Sequence, residues 1–131
     1  PQVVRAVLEG VAQRGADLVD AAMADTGLPI DTVRIDGGMS VNPTFVQALA
    51  DATAQPIEVS PVTESTTIGA AFMAGLGAGV FGDMSDLDHL WQPARVVEPR
   101  PHHDHAASRA RWADAVERAA NWIPELSALE F

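Results

Sequence analysis

Cysteine and lysine are both absent from this chain of 131 residues. Without cysteine there is no disulfide framework and no thiolate metal site, a composition that suits a reducing compartment. Without lysine, all eight basic residues are arginine. That excludes a P-loop lysine and a Schiff-base lysine, so any phosphate contact must come from arginine or from backbone amides. Positive charge is scarce altogether: 18 Asp and Glu against eight Arg leave a formal charge of −10, which disfavours nucleic acid and anionic membrane as partners because both need basic footprints. Long hydrophobic runs are missing too. The longest nearly apolar stretch, Ile68 to Phe81, has 14 residues and is rich in Gly and Ala, short of the roughly 20 needed to span a bilayer. No secretory signal pattern opens the chain, and a soluble, cytoplasmic protein is expected. No Met precedes Pro1, so an upstream portion is expected to be missing.

What is present fits one globular domain, residues 1–131, with 47% hydrophobic content. Val4, Leu8, Val11, Leu18 and Ala22 recur at helical spacing while Arg5, Glu9, Gln13, Asp17 and Asp20 fall on other faces, which predicts an amphipathic helix over the first 25 residues. Gly27 and Pro29 stop it. Thr32 to Ile35 is a short β-branched run ending at Asp36-Gly37-Gly38, a strand entering a tight turn. Asn42-Pro43 makes a good helix start, with Phe45, Val46, Leu49, Ala50 and Thr53 as its buried face. Ile57 to Val59 reads as a second strand, and Ser65 or Thr66 is expected to cap a third helix through about Ala78.

That third helix is built of small residues, Gly69, Ala70, Ala71, Ala74 and Gly75, and is expected to press tightly on a sheet or helix through Ile68, Phe72, Met73 and Leu76. Ser85 to Trp91 reads as a short capped helix and Ala94 to Val97 as an extended segment. A final helix from about Asp104 carries Trp112, Val116, Ala119 and Ile123 at helical spacing until Pro124. The whole is α/β, short strands covered by helices.

Among candidate sites, Asp36-Gly37-Gly38 followed by Asn42 is the strongest. Two glycines admit a ligand close to the backbone, and free amides at a helix start favour an anion; a plain tight turn explains the same residues from local chemistry alone. Asp36 is expected to bond nearby amides rather than to act in catalysis. Gly77-Ala-Gly-Val-Phe-Gly82 fits a dinucleotide-binding glycine pattern but follows a helix instead of a strand, so a helix end and turn is the better reading. His102, His103, Asp104 and His105 carry metal-ligating groups, yet contiguous ligands beside prolines more often form an exposed linker or helix cap. Nothing resembles a nucleophile elbow. Trp112 and Trp122 read as core or interface packing.

The stretch Val33-Arg-Ile-Asp-Gly-Gly-Met-Ser-Val-Asn42, then Gln55-Pro-Ile-Glu-Val59, Thr63-Glu-Ser-Thr-Thr67 and Gly69-Ala-Ala71 with Ala74-Gly75, resembles the C-terminal half of the nucleotide domain of the FGGY carbohydrate kinases. Within that family the combination is most similar to glycerol kinases, and the likeness extends to Arg109, Trp112, Ala115, Arg118 and Trp122. The resemblance implies an actin-like ATPase (ribonuclease H-like) fold and phosphoryl transfer from ATP to a polyol or sugar hydroxyl. It also implies that Gly38 contacts the nucleotide through its backbone, that Asn42 contacts the base side, and that Gly37 allows the turn.

By the same resemblance Thr63 to Thr67 and its helix pack behind the site, their hydroxyls capping. The magnesium ligands, catalytic carboxylate, phosphate loop and polyol site would lie upstream, so no catalytic or metal residue is assigned here. Met39 and Pro43 depart from the glycerol kinase pattern and leave the substrate open. A kinase for a pentulose or another polyol, and a free-standing nucleotide-binding or interaction module, are the alternatives. A severed half-domain should expose apolar surface and self-associate.

Overall fold

The computed structural model describes residues 1–120. The elements run α1 (Gln2–Thr26), β1 (Val33–Ile35), a 3-10 turn (Gly38–Val41), α2 (Pro43–Thr53), β2 (Ile57–Val59), α3 (Ser65–Gly77), a second 3-10 segment (Met84–Leu90), β3 (Arg95–Val97) and α4 (His105–Ala120). Gly27 ends α1 in the left-handed conformation, its amide bonded to Met23 O at 2.9 Å, as a glycine just past a helix allows.

The strands form one sheet in the order β1-β2-β3. β1 and β2 are parallel, with Val33 opposite Ile57 and Ile35 opposite Val59; the crossover between them is α2. β3 returns antiparallel, Val97 opposite Ile57. Because strand side chains alternate, Val33, Ile35, Ile57, Val59 and Val97 share the inner face and join Val46, Leu49 and Ala50 of α2 in the core. Arg34 and Glu58 point the other way and pair across the strands at 2.9 Å, with the Arg34 guanidinium 4.1 Å above the Trp91 ring.

Behind α2 lies α1, and their seam is made of small residues. Ala12 and Ala16 are fully buried, and a Cβ on Gly15 would meet Leu49 Cδ1 at 2.9 Å. The two axes can approach because α1 offers only Ala12, Gly15 and Ala16 where Leu49 of α2 seats. This reverses the face expected from the sequence. Of the residues chosen there, Leu8 alone is partly covered; Val4, Val11 and Leu18 are 65%, 47% and 66% exposed, and Val3 and Val7 lie out with them.

The polar residues of α1 are the ones that receive α4. Arg109 donates to Gln13 O and Oε1 at 3.1 and 2.8 Å and to Asp17 Oδ1 at 2.6 Å and Asp20 Oδ2 at 2.9 Å. Trp112 Nε1 donates to Asp17 at 3.0 Å, and Gln13 Nε2 donates to Ser108 Oγ at 2.9 Å. Hydrophobic spacing locates an apolar helix face without saying which partner covers it.

Two further expectations are corrected. Among the described residues helix α3 has no buried residue and packs on no other element closely; its small face meets the returning chain, where Phe81 closes over Gly75 and stacks edge-on against Phe72 at 6.1 Å. Nor does Ser65 or Thr66 cap it: Glu64 is the N-cap residue and contributes no side-chain hydrogen bond. On α4, Val116 and Ala119 are exposed. The expected continuation through Trp122 and Ile123 to Pro124 lies outside the described residues.

Candidate functional site

β1 ends at Ile35, and the chain then turns sharply over Gly37 and Gly38. Gly37 has φ 82° and ψ 179°, a region that is essentially glycine-only because a Cβ would clash with the backbone. Gly38 has no positive φ, and a Cβ added at either glycine would meet no atom within 4 Å, so the space beside the turn is open. The amides of Gly38 and Met39 begin the 3-10 turn and have no hydrogen-bond acceptor among the described residues. Two free N–H groups beside open space are what a close-lying oxyanion or carbonyl needs.

The turn is held from below by residues that sequence reasoning missed. Ser40 is buried; its Oγ donates to Gly37 O at 2.7 Å and its amide to the same oxygen at 3.0 Å. Arg95, from β3, donates Nη2 to Ser40 O at 2.9 Å across 55 positions of sequence. A serine inside a glycine turn hints at such a bond, since its hydroxyl competes for local backbone groups; nothing local points to Arg95.

Asn42 caps α2, accepting on Oδ1 from Thr44 N at 3.0 Å and Phe45 N at 3.2 Å, with Pro43 in the first turn. This corrects the expectation that the helix start offers free amides to an anion: the Asn42 carbonyl takes two, and proline has none. The free amides sit one turn earlier. Asn42 Nδ2 has no partner among the described residues, which leaves two donors on a side chain locked by its own cap. Asp36 is exposed and accepts no hydrogen bond among the described residues, so the turn-bonding role expected of it is not what the structure shows; Ser40 braces the turn instead, by donating to Gly37 O.

The other candidates separate. Gly77 to Gly82 is the end of α3 and a turn, with Gly79 at φ 72° and Val80 N bonded to Gly75 O at 2.8 Å. Among the four contiguous ligand-type residues, Asp104 Oδ1 accepts from Ala107 N at 2.9 Å at the start of α4. His105 Nε2 lies 3.0 Å from Ala52 O, a carbonyl that can only accept, and the side chains diverge. No group of three ligating side chains able to hold a metal ion occurs among the described residues.

Residues 1–78 match the model of the FGGY family of carbohydrate kinases, C-terminal domain. The chain belongs to that family. Similar FGGY sequences include a glycerol kinase of Rhodopirellula baltica, 39% identical over 124 residues, 94% of this chain and 23% of that protein. Another, from Deinococcus radiodurans, is 37% identical over 121 residues, 92% of this chain and 24% of that one. The chain therefore spans about a quarter of the length of these relatives.

The fold matches that of Plasmodium falciparum glycerol kinase crystallised with ADP, with a TM-score of 0.77 at 34% identity over 88% of this chain and 23% of that one. It also matches gluconate kinase from Lactobacillus acidophilus, TM-score 0.69 at 26% identity, covering 92% and 24%. The α/β arrangement is the C-terminal part of the actin-like ATPase fold that FGGY kinases share. Among the described residues no helix is long and apolar enough to cross a membrane.

Proposed function

We propose that this chain forms the adenosine-side wall of the nucleotide site in an ATP-dependent kinase, with a small polyol, glycerol first, as phosphoryl acceptor. The observation that carries the reading is the Gly37-Gly38 turn at the end of β1. The Gly38 and Met39 amides and Asn42 Nδ2, all within five residues of chain, are without partners among the described residues, and a Cβ on Gly38 would meet open space. In this reading the Gly38 backbone lies against the nucleotide, Asn42 donates to its base side, and Gly37 supplies only the turn.

Ser40 and Arg95 keep the turn rigid, so that little ordering is needed when a nucleotide arrives. Phosphoryl transfer needs positioning, a bridging metal and a carboxylate that receives the hydroxyl proton. In this reading those groups, with the polyol site, lie in the parts of the relatives that this chain does not cover, and the chain alone should be inactive. Magnesium would enter with the nucleotide phosphates, and the need for ATP suits the cytoplasm. Fold similarity to both glycerol and gluconate kinases leaves the acceptor to be set by the substrate domain.

Calorimetric titration of the chain with ADP and ATP, with and without magnesium, tests this. The expected result is weak binding, insensitive to magnesium and abolished by Gly38→Val, whose side chain fills the open space without clashing with the fold. Asn42→Asp keeps the helix cap but removes the Nδ2 donors, and should weaken binding without lowering the melting temperature. Unchanged affinity in both folded variants would sink the assignment.

A further inference from the structure

We propose a second ligand site, for a small multivalent oxyanion, in the open cleft between α1, α2, the turn at Arg100 to His103 and the start of α4. Its volume is about 640 Å³. Three of the chain's eight arginines, Arg5, Arg100 and Arg111, line it together with His102 and His103. The wall's carboxylates are Glu9 and Asp51. Arg5 Nε bonds Glu9 at 2.7 Å. Arg100 closes on the buried Asp51, its Nε at 2.7 Å and its backbone amide at 2.8 Å. Arg111 pairs with no carboxylate among the described residues.

The wall thus keeps a net positive charge in a chain whose formal charge is −10, an inversion that selects anions locally. Guanidinium groups carry five donors in a planar fork, suited to phosphate and carboxylate oxygens. Of the other lining residues, Gln13 and Ser108 add polar groups and Ala48 and Pro101 are apolar. In this half-buried wall residue, the buried His103 Nε2 has no hydrogen-bond partner among the described residues, a condition that calls for an explanation such as a ligand or ion.

The site is separate from the Gly37-Gly38 turn, none of whose residues lines it, and it stands whether or not the nucleotide reading does. The shared chemistry is a phosphate-bearing or polycarboxylate small molecule, and the probes are pyrophosphate and citrate, each titrated calorimetrically at low ionic strength into the complete chain. Binding of either supports the site and assigns the source; the variants then locate it. Arg111→Gln, at an exposed position on α4, should weaken binding at least tenfold, and Arg5→Gln should do so too, while Gly38→Val leaves it unchanged. The proposal is overturned by a folded chain that binds neither probe at millimolar concentration. It is equally overturned by binding that survives both arginine substitutions, or by binding that Gly38→Val removes.

Discussion

At the scale of single residues, the two glycines of the candidate site do different work. Both face open space, but Gly37 has a positive φ at which any side chain is strained, and Gly38 does not. Gly37→Ala should therefore cost about 1–3 kcal/mol of folding stability. Gly38→Ala should leave stability within about 1 kcal/mol, the ordinary scale of a Gly-to-Ala change at an unstrained position. Urea denaturation of both variants checks this, and equal losses would show that the turn's conformation is not what separates them. Asn42 likewise has two halves: a carbonyl spent on the cap and an amide left free.

At the scale of elements, α4 is held to α1 by a polar cluster rather than by an apolar seam. Burial by itself would raise the Asp17 carboxyl, but hydrogen bonds from Trp112, Arg109 and Arg14 outweigh it and hold it below the usual carboxylate value. Asp51 behaves the same way, burial being outweighed by the Arg100 side chain and amide and by Gln47. Both groups are more acidic folded than unfolded, so the folded chain binds fewer protons. Their stabilisation is complete above the unfolded value, about 3.9, and is lost as pH falls through the lowered folded values. Trp112 fluorescence should accordingly report α4 loosening at acid pH. Asp17→Asn, which cannot titrate, should flatten that acid limb; an unaltered profile would place the acid sensitivity elsewhere.

At the scale of the whole molecule, the described residues leave apolar faces without partners. Val4, Val7 and Val11 are exposed together on α1, with Leu18 exposed beyond Arg14, and Ile68 and Met73 are open on α3. Exposed patches of this kind recruit other surfaces, so the chain by itself should self-associate. Sedimentation velocity should show the average mass rising with concentration, and Val11→Ser with Leu18→Ser should reduce it. A wild-type chain that stays monomeric over the same range would count against these residues as an association surface.

How much of this was legible beforehand depended on the range of the interactions involved. The α/β order, the helix stop at Gly27, the Asn42-Pro43 start, the inner face of α2 and the glycine turn were all readable from the sequence, because each rests on spacing or on a neighbour within a few residues. The family was readable for a related reason: several motifs in order constrain one another. Tertiary structure alone decided the rest. It put the polar side of α1 against α4 and left its apolar side open, it moved the free amides from the helix start to Gly38 and Met39, and it brought Arg95 under Ser40 and three arginines around one cleft. Hydrophobic periodicity marks a face but not its partner, and a hydrogen bond that spans 55 positions leaves no local trace, since only the closed sheet brings its two ends together.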